Sequence, residues 1–190
     1  AGVFLVAFLA MTLGFELSPA AKIGTSIVSL IFISLTGLFL VMDLDRPDRF
    51  LNVLLRPQWN SWLVRGGYAM TIFGGVISVW LANNWLGFNL PDKAIQYITF
   101  PFAIVLAIYT AFLFAQAKGR DFWQSPSLVL HMLVHSVMAG VAALSIMSLI
   151  IGEEDWMSIL KPLLIGALVV NLFVLITELT VTHPTTSAKM

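Results

Sequence analysis

Tyr109, His131, His135, Tyr68, Asp43 and Glu178 are the side chains of this sequence whose types and positions suit the handling of protons beside an apolar environment. A phenol donates one hydrogen bond, and an imidazole donates or accepts and changes charge near neutral pH. His131 and His135 are four residues apart and so share one face of a helix. A quinone needs hydrogen-bond donors at its two carbonyls and two protons for its two-electron reduction. Tyr109 and His135, with His131 and Tyr68 in support, could supply the donors, and Asp43 and Glu178 could relay the protons. Each residue also has a simpler reading. A single Tyr or His within an apolar span often makes only an interhelical hydrogen bond.

Other chemistries fail on count or spacing. The chain has no Cys, which excludes disulfides, zinc thiolates and cysteine-held iron–sulfur clusters within it. Electrons passing through this protein would be held by another subunit or a diffusible carrier. A bis-histidine haem needs imidazoles facing each other from different helices, whereas His131 and His135 share a face and His183 follows the last apolar segment. The HMLVH spacing with Glu178 as third ligand is an incomplete zinc site, and no general base lies between the histidines. No phosphate-cradling glycine loop is present, and no Ser, His and Asp set has a credible geometry. The net charge of zero gives no reason to expect nucleic acid as a partner.

The elements that must position these groups are apolar. With 59% hydrophobic and 11% charged residues and a mean hydropathy of +0.93, the chain lies far from the composition of soluble domains. It reads as an all-α, polytopic transmembrane bundle forming a single domain over residues 1–190. Six apolar segments stand out, at 1–15, 23–42, 62–82, 95–117, 127–151 and 157–179. Five are long enough to cross a hydrocarbon core of roughly 30 Å as helices, and the first, at about 22 Å, is not. Its start without Met or polar flank, and the polar stop at THPTTSAKM, predict a chain cut at both ends. Trp59, Trp62, Trp80, Trp85, Trp123 and Trp156 suit an interfacial aromatic belt.

Let side A be the membrane face at the start of the chain and side B the other. Helix rise then places Tyr109 about 12 Å below side A, counted from Ala117, and His131 and His135 about 7 and 13 Å below it, counted from Pro126. Arg65 and Tyr68 are similarly shallow, Asp43 and Glu178 close their spans on side A, and the side B halves hold little that titrates beyond Tyr97. This one-sided polarity predicts a pocket open toward side A. Its floor is the stretch DLDRPDRFLNVLLRPQWNSWLVRGG, residues 43–67, with three acidic and four basic side chains. Asp45, Arg46, Asp48, Arg49 and Arg65 would hold the carboxylates or meet a partner. Their simplest reading is a salt-bridged interfacial loop. Lys and Arg near span ends favour side A as cytoplasmic by the positive-inside rule, although the arginines of the central stretch carry much of that count.

That stretch, with IYTAFLFAQAKGRDFWQSPSLVLHMLVHSVMAGVAAL and ELTVTHPTTSAK, resembles the NrfD/polysulfide reductase membrane subunits, and the three occur in the family's order. The opening AGVFLVAF is similar to the family's first span entered part-way. The resemblance implies an eight-helix subunit in the prokaryotic cytoplasmic (inner) membrane, of which about six spans are present. It implies no haem, metal or iron–sulfur cluster in this chain and no catalysis by the chain alone. Electrons would pass between a bound quinone, menaquinone or ubiquinone, and a ferredoxin-like iron–sulfur subunit, which serves a catalytic subunit that is often a molybdopterin enzyme. The family's quinone-binding tyrosine on the fourth helix corresponds to Tyr109, and its docking face, often periplasmic, opposes the positive-inside count. Two rival functions remain: a proton- or ion-translocating subunit, and a plain membrane anchor.

Overall fold

The computed structural model describes residues 1–42, 55, 57–116 and 127–180, with the side chains of 154 and 179 excepted. Among the described residues the regular elements are helical: α1 (Gly2–Thr12), α2 (Pro19–Met42), α3 (Trp62–Leu86), α4 (Asp92–Ala115), α5 (Ser127–Ile151), a 3-10 turn at Glu154–Trp156, and α6 (Met157–Thr180). Five helices, α2 to α6, are long and apolar enough to cross a membrane, so this is an integral membrane protein. The eleven residues of α1 rise only about 16 Å.

The bundle is built around α1. Seven consecutive residues, Gly2 to Phe8, are buried, as expected of a helix that is apolar on every side. It packs against α5, α4 and α2, while α3 joins α2 to α4 and α6 lies on α5. One core cluster gathers Phe4, Phe8, Phe73, Ile77 and Trp80, with Phe4 edge-on to both Phe73 and Trp80 at 6.0 Å between ring centroids. A second gathers Val3, Val6, Val141, Leu144, Trp156 and Leu160. Between them α1 and α5 touch backbone to backbone. A Cβ on Gly140 would come within 2.4 Å of the Gly2 carbonyl carbon, so only glycine fits.

The helices alternate in direction, and contacts at both ends show which ends share a face. On side B, Lys22 of α2 meets Asp92 of α4, and Ser18 donates a hydrogen bond to Glu153. On side A, Trp62 at the start of α3 stacks on Phe112 near the end of α4, at 4.4 Å between centroids. The turn from α3 to α4 is set by local chemistry. Gly87 adopts φ 72°, a conformation open to glycine, and closes α3 by donating its N–H to Asn83 O at 3.0 Å. The Asn83 amide then exchanges hydrogen bonds with the backbone of Leu90, at 2.8 and 3.2 Å, which aims Asp92 at the first turn of α4. Pro101 lies within α4 and Pro162 within α6.

Candidate functional site

Six residues before the end of α4, Tyr109 sits about 9 Å from the side A end of its helix. It is 4% exposed, and its ring lies against the backbone of Gly66 on α3, where a Cβ would come within 2.4 Å of Cδ2. The glycine is what allows the ring into the helix interface. Its hydroxyl makes no hydrogen bond among the described residues, and the side chain lines an open cleft of about 460 Å³. The far wall is α2, through Thr36, Phe39, Leu40 and Met42. This volume falls in the range of roughly 300–1,000 Å³ typical of small-molecule sites. The lining combines one phenol and one aliphatic hydroxyl with thioether, aromatic and branched carbon. Such a surface suits a flat apolar ligand with a polar edge. A smaller cavity of about 230 Å³ between α2 and α3 shares Leu40 and is lined also by Ser34, Gly37, Gly67 and Thr71.

The histidines occupy a different place. His131 Nε2 lies 2.9 Å from Glu178 Oε2, tying α5 to α6, and Ser127 Oγ donates to the other carboxylate oxygen at 3.2 Å. Both partners of this pair keep only a tenth of their side-chain surface. The His135 ring stands 5.6 Å from that of His131, tilted by 53°, and is exposed on the outside of α5. His131 and Gly140 are nine residues apart, about two and a half turns, and therefore on opposite faces of α5. Since Gly140 meets α1 at the bundle centre, both histidines point away from α1, His131 buried against α6 and His135 exposed, and the Tyr109 cleft is lined by neither.

Near the side A end of α3, Tyr68 does not line the cleft and is half-buried with its ring 4.9 Å from that of Trp59. Arg65 donates from Nε to Trp59 O at 2.7 Å, and its guanidinium lies 4.8 Å from the centre of the Trp62 ring. Asp43, Asp45, Arg46, Asp48 and Arg49 lie outside the described residues. Among the described residues no three of His, Asp and Glu gather as a metal site.

Two contributors escape sequence reasoning. Gly66 reads as an ordinary small residue in a span, and nothing local shows that it faces an aromatic ring from another helix. Thr36, one hydroxyl in an apolar run, carries no pattern of its own. By contrast, the pairing of Lys22 with Asp92 is legible in principle, since both stand in the first turn of spans that begin on side B.

The family described as "Polysulphide reductase, NrfD" matches residues 1–188 of this chain. A Halobacterium salinarum protein, named as a putative membrane subunit of a dimethyl sulfoxide reductase, is 24% identical over 153 residues, covering 68% of this chain and 35% of the relative. The chain thus spans about a third of the length of that curated relative. No solved structure matches it.

Proposed function

The chain belongs to the NrfD polysulphide reductase family, and on that premise we propose that it is the quinone-interacting membrane subunit of a respiratory oxidoreductase in a prokaryotic inner membrane. The observation that carries this reading is the Tyr109 phenol, buried, without a hydrogen-bond partner among the described residues, and facing a cleft of ligand size in the side A half of the bundle. A quinone carbonyl there would accept the hydrogen bond that the phenol lacks. Leu40, Phe39 and Met42 would cover the ring, while the Thr36 hydroxyl on the same wall already donates to Phe32 O at 2.7 Å. Menaquinone and ubiquinone both present this carbonyl edge.

The protons belong to separate machinery. His131, Glu178 and Ser127 form a hydrogen-bonded chain near side A, with His135 beside it. We assign this chain to proton exchange with the side A surface rather than to the ligand itself. Asp43 would serve the same exchange. Electrons would leave or enter through a ferredoxin-like iron–sulfur subunit docked over Arg65 and the stretch containing Asp45, Arg46, Asp48 and Arg49, and then reach a catalytic subunit. The relative's name, a membrane subunit of a dimethyl sulfoxide reductase, is consistent with such an assembly.

Tyr109→Phe in the assembled complex tests the reading. Loss of one hydrogen bond should lower quinone-dependent turnover roughly tenfold, with subunit assembly intact on a native gel. Unchanged turnover would remove the phenol from the site.

A second reading, proton passage across the membrane, draws support from α2. Thr25 Oγ1 and Ser29 Oγ are fully buried and lack hydrogen-bond partners among the described residues. With Lys22 and Thr36 they fall at steps of three, four and seven, a single face of α2 running from the side B surface to the Tyr109 cleft. Acidification measured in vesicles holding the whole complex, with and without Ser29→Ala, decides between the readings.

A further inference from the structure

The side B end of the bundle holds a cavity of about 470 Å³ that the quinone reading does not use. It lies where the C-terminal end of α1, the connection to α2 and the first turns of α2 and α4 converge. Met11, Phe15 and Leu17 form an apolar wall, and the polar groups stand opposite. Its position at the ends of spanning helices is the layer in which lipid headgroups sit.

The polar groups divide into those already engaged and those that are not. Asp92 accepts from Lys22 Nζ at 2.6 Å and from the amides of Asn83 and Asn84 at 2.9 and 3.4 Å. Its charge is therefore balanced and its oxygens are occupied. Glu16 and Lys93, both exposed, have no partner among the described residues and face the same cavity with opposite charge. Gln96 is 6% exposed, lines the cavity, and makes no hydrogen bond among the described residues. Its amide is reached only through the cavity, so its donors and acceptor are free to bond whatever fills that space.

We propose that this cavity binds the headgroup of a zwitterionic phosphoethanolamine lipid. The phosphate lies toward Lys93, the Gln96 amide and the N-terminal end of α4, which attracts anions. The primary ammonium donates to Glu16, and the glycerol and first acyl carbons lie on Met11, Phe15 and Leu17. A headgroup with negative charge alone would leave the Glu16 carboxylate facing a like charge. A quaternary ammonium would satisfy the charge but has no N–H to donate.

The test uses the assembled complex reconstituted in nanodiscs of equal parts phosphatidylethanolamine, phosphatidylglycerol and phosphatidylcholine, followed by mild extraction and native mass spectrometry of retained lipid. Phosphatidylethanolamine should be retained with a roughly tenfold preference, the equivalent of one charge-assisted hydrogen bond. Glu16→Gln should erase its advantage over phosphatidylcholine, and Lys93→Gln should lower retention of all three. Both side chains are exposed, so neither change threatens folding. Equal retention of the three lipids by the unaltered protein, preference for phosphatidylglycerol, or variants that retain phosphatidylethanolamine unchanged would each overturn the assignment. Quinone turnover, measured in parallel, separates this outcome from failure of the Tyr109 site.

Discussion

A buried phenol that bonds to none of the described residues is the informative group of this protein, and its setting makes specific demands on its neighbours. Because the Tyr109 ring rests on bare backbone, Gly66→Ala should push it aside without removing its hydroxyl. The expected result is a rise in KM for quinone, about tenfold if the displaced hydroxyl loses the equivalent of one hydrogen bond, with the complex still assembled. An unchanged KM would show that ring position does not matter. Glu178→Gln makes a different prediction. The amide can still bond Ser127 and His131, but it removes the charge opposite the imidazole. If this chain moves protons, the pH profile of turnover should change shape with little change in KM, whereas a purely structural tie leaves the profile where it was. The residue types at these positions are readable in the sequence. Their separation is not, because depth along a helix follows from counting whereas facing depends on which neighbour each helix finds.

At the level of helices, two contacts set the geometry. Where α1 crosses α5, the backbones of Gly2 and Gly140 touch, and Gly140→Ala should cost about 1–3 kcal/mol by forcing them apart. A lower midpoint of thermal unfolding in detergent is the measurement, and a midpoint equal to that of the unaltered protein would show that the crossing can relax. The turn between α3 and α4 depends on Asn83, whose side chain bonds Leu90 twice and Asp92 once. The helices themselves are plain from hydropathy: the segments at 127–151 and 157–179 match α5 and α6 to within a residue. The shortness of the first apolar segment is plain as well. What hydropathy does not supply is the central place of α1, since an eleven-residue apolar helix looks the same whether it lines the bundle or fills it.

For the whole molecule, polarity is distributed over both membrane faces rather than one. Counting along the sequence finds little that titrates within the side B halves of the spans, and the structure adds Lys22, Asp92, Glu16 and Lys93, with the neutral Gln96 amide, around a cavity at the helix ends there. These residues lie in the connections and first helical turns, so a count of groups deep within the spans passes over them. The chain contains no Cys, so one introduced at position 36 or 93 would be its only thiol. Thr36→Cys should react with a membrane-impermeant reagent added from side A and Lys93→Cys with one added from side B, and reaction of both from the same side would refute the topology. Pro101 sits between these two regions, on the helix that serves both. It has no N–H to give the carbonyl of Tyr97, so α4 lacks one rung between the Asp92 clamp and the phenol. The helix runs unbroken through Pro101, and the missing bond makes that turn its weakest point. A push on the side A end of α4, such as the proposed soluble subunit would give, would be taken up at that missing rung while the side B end stays tied to α2 through Lys22 and Asp92.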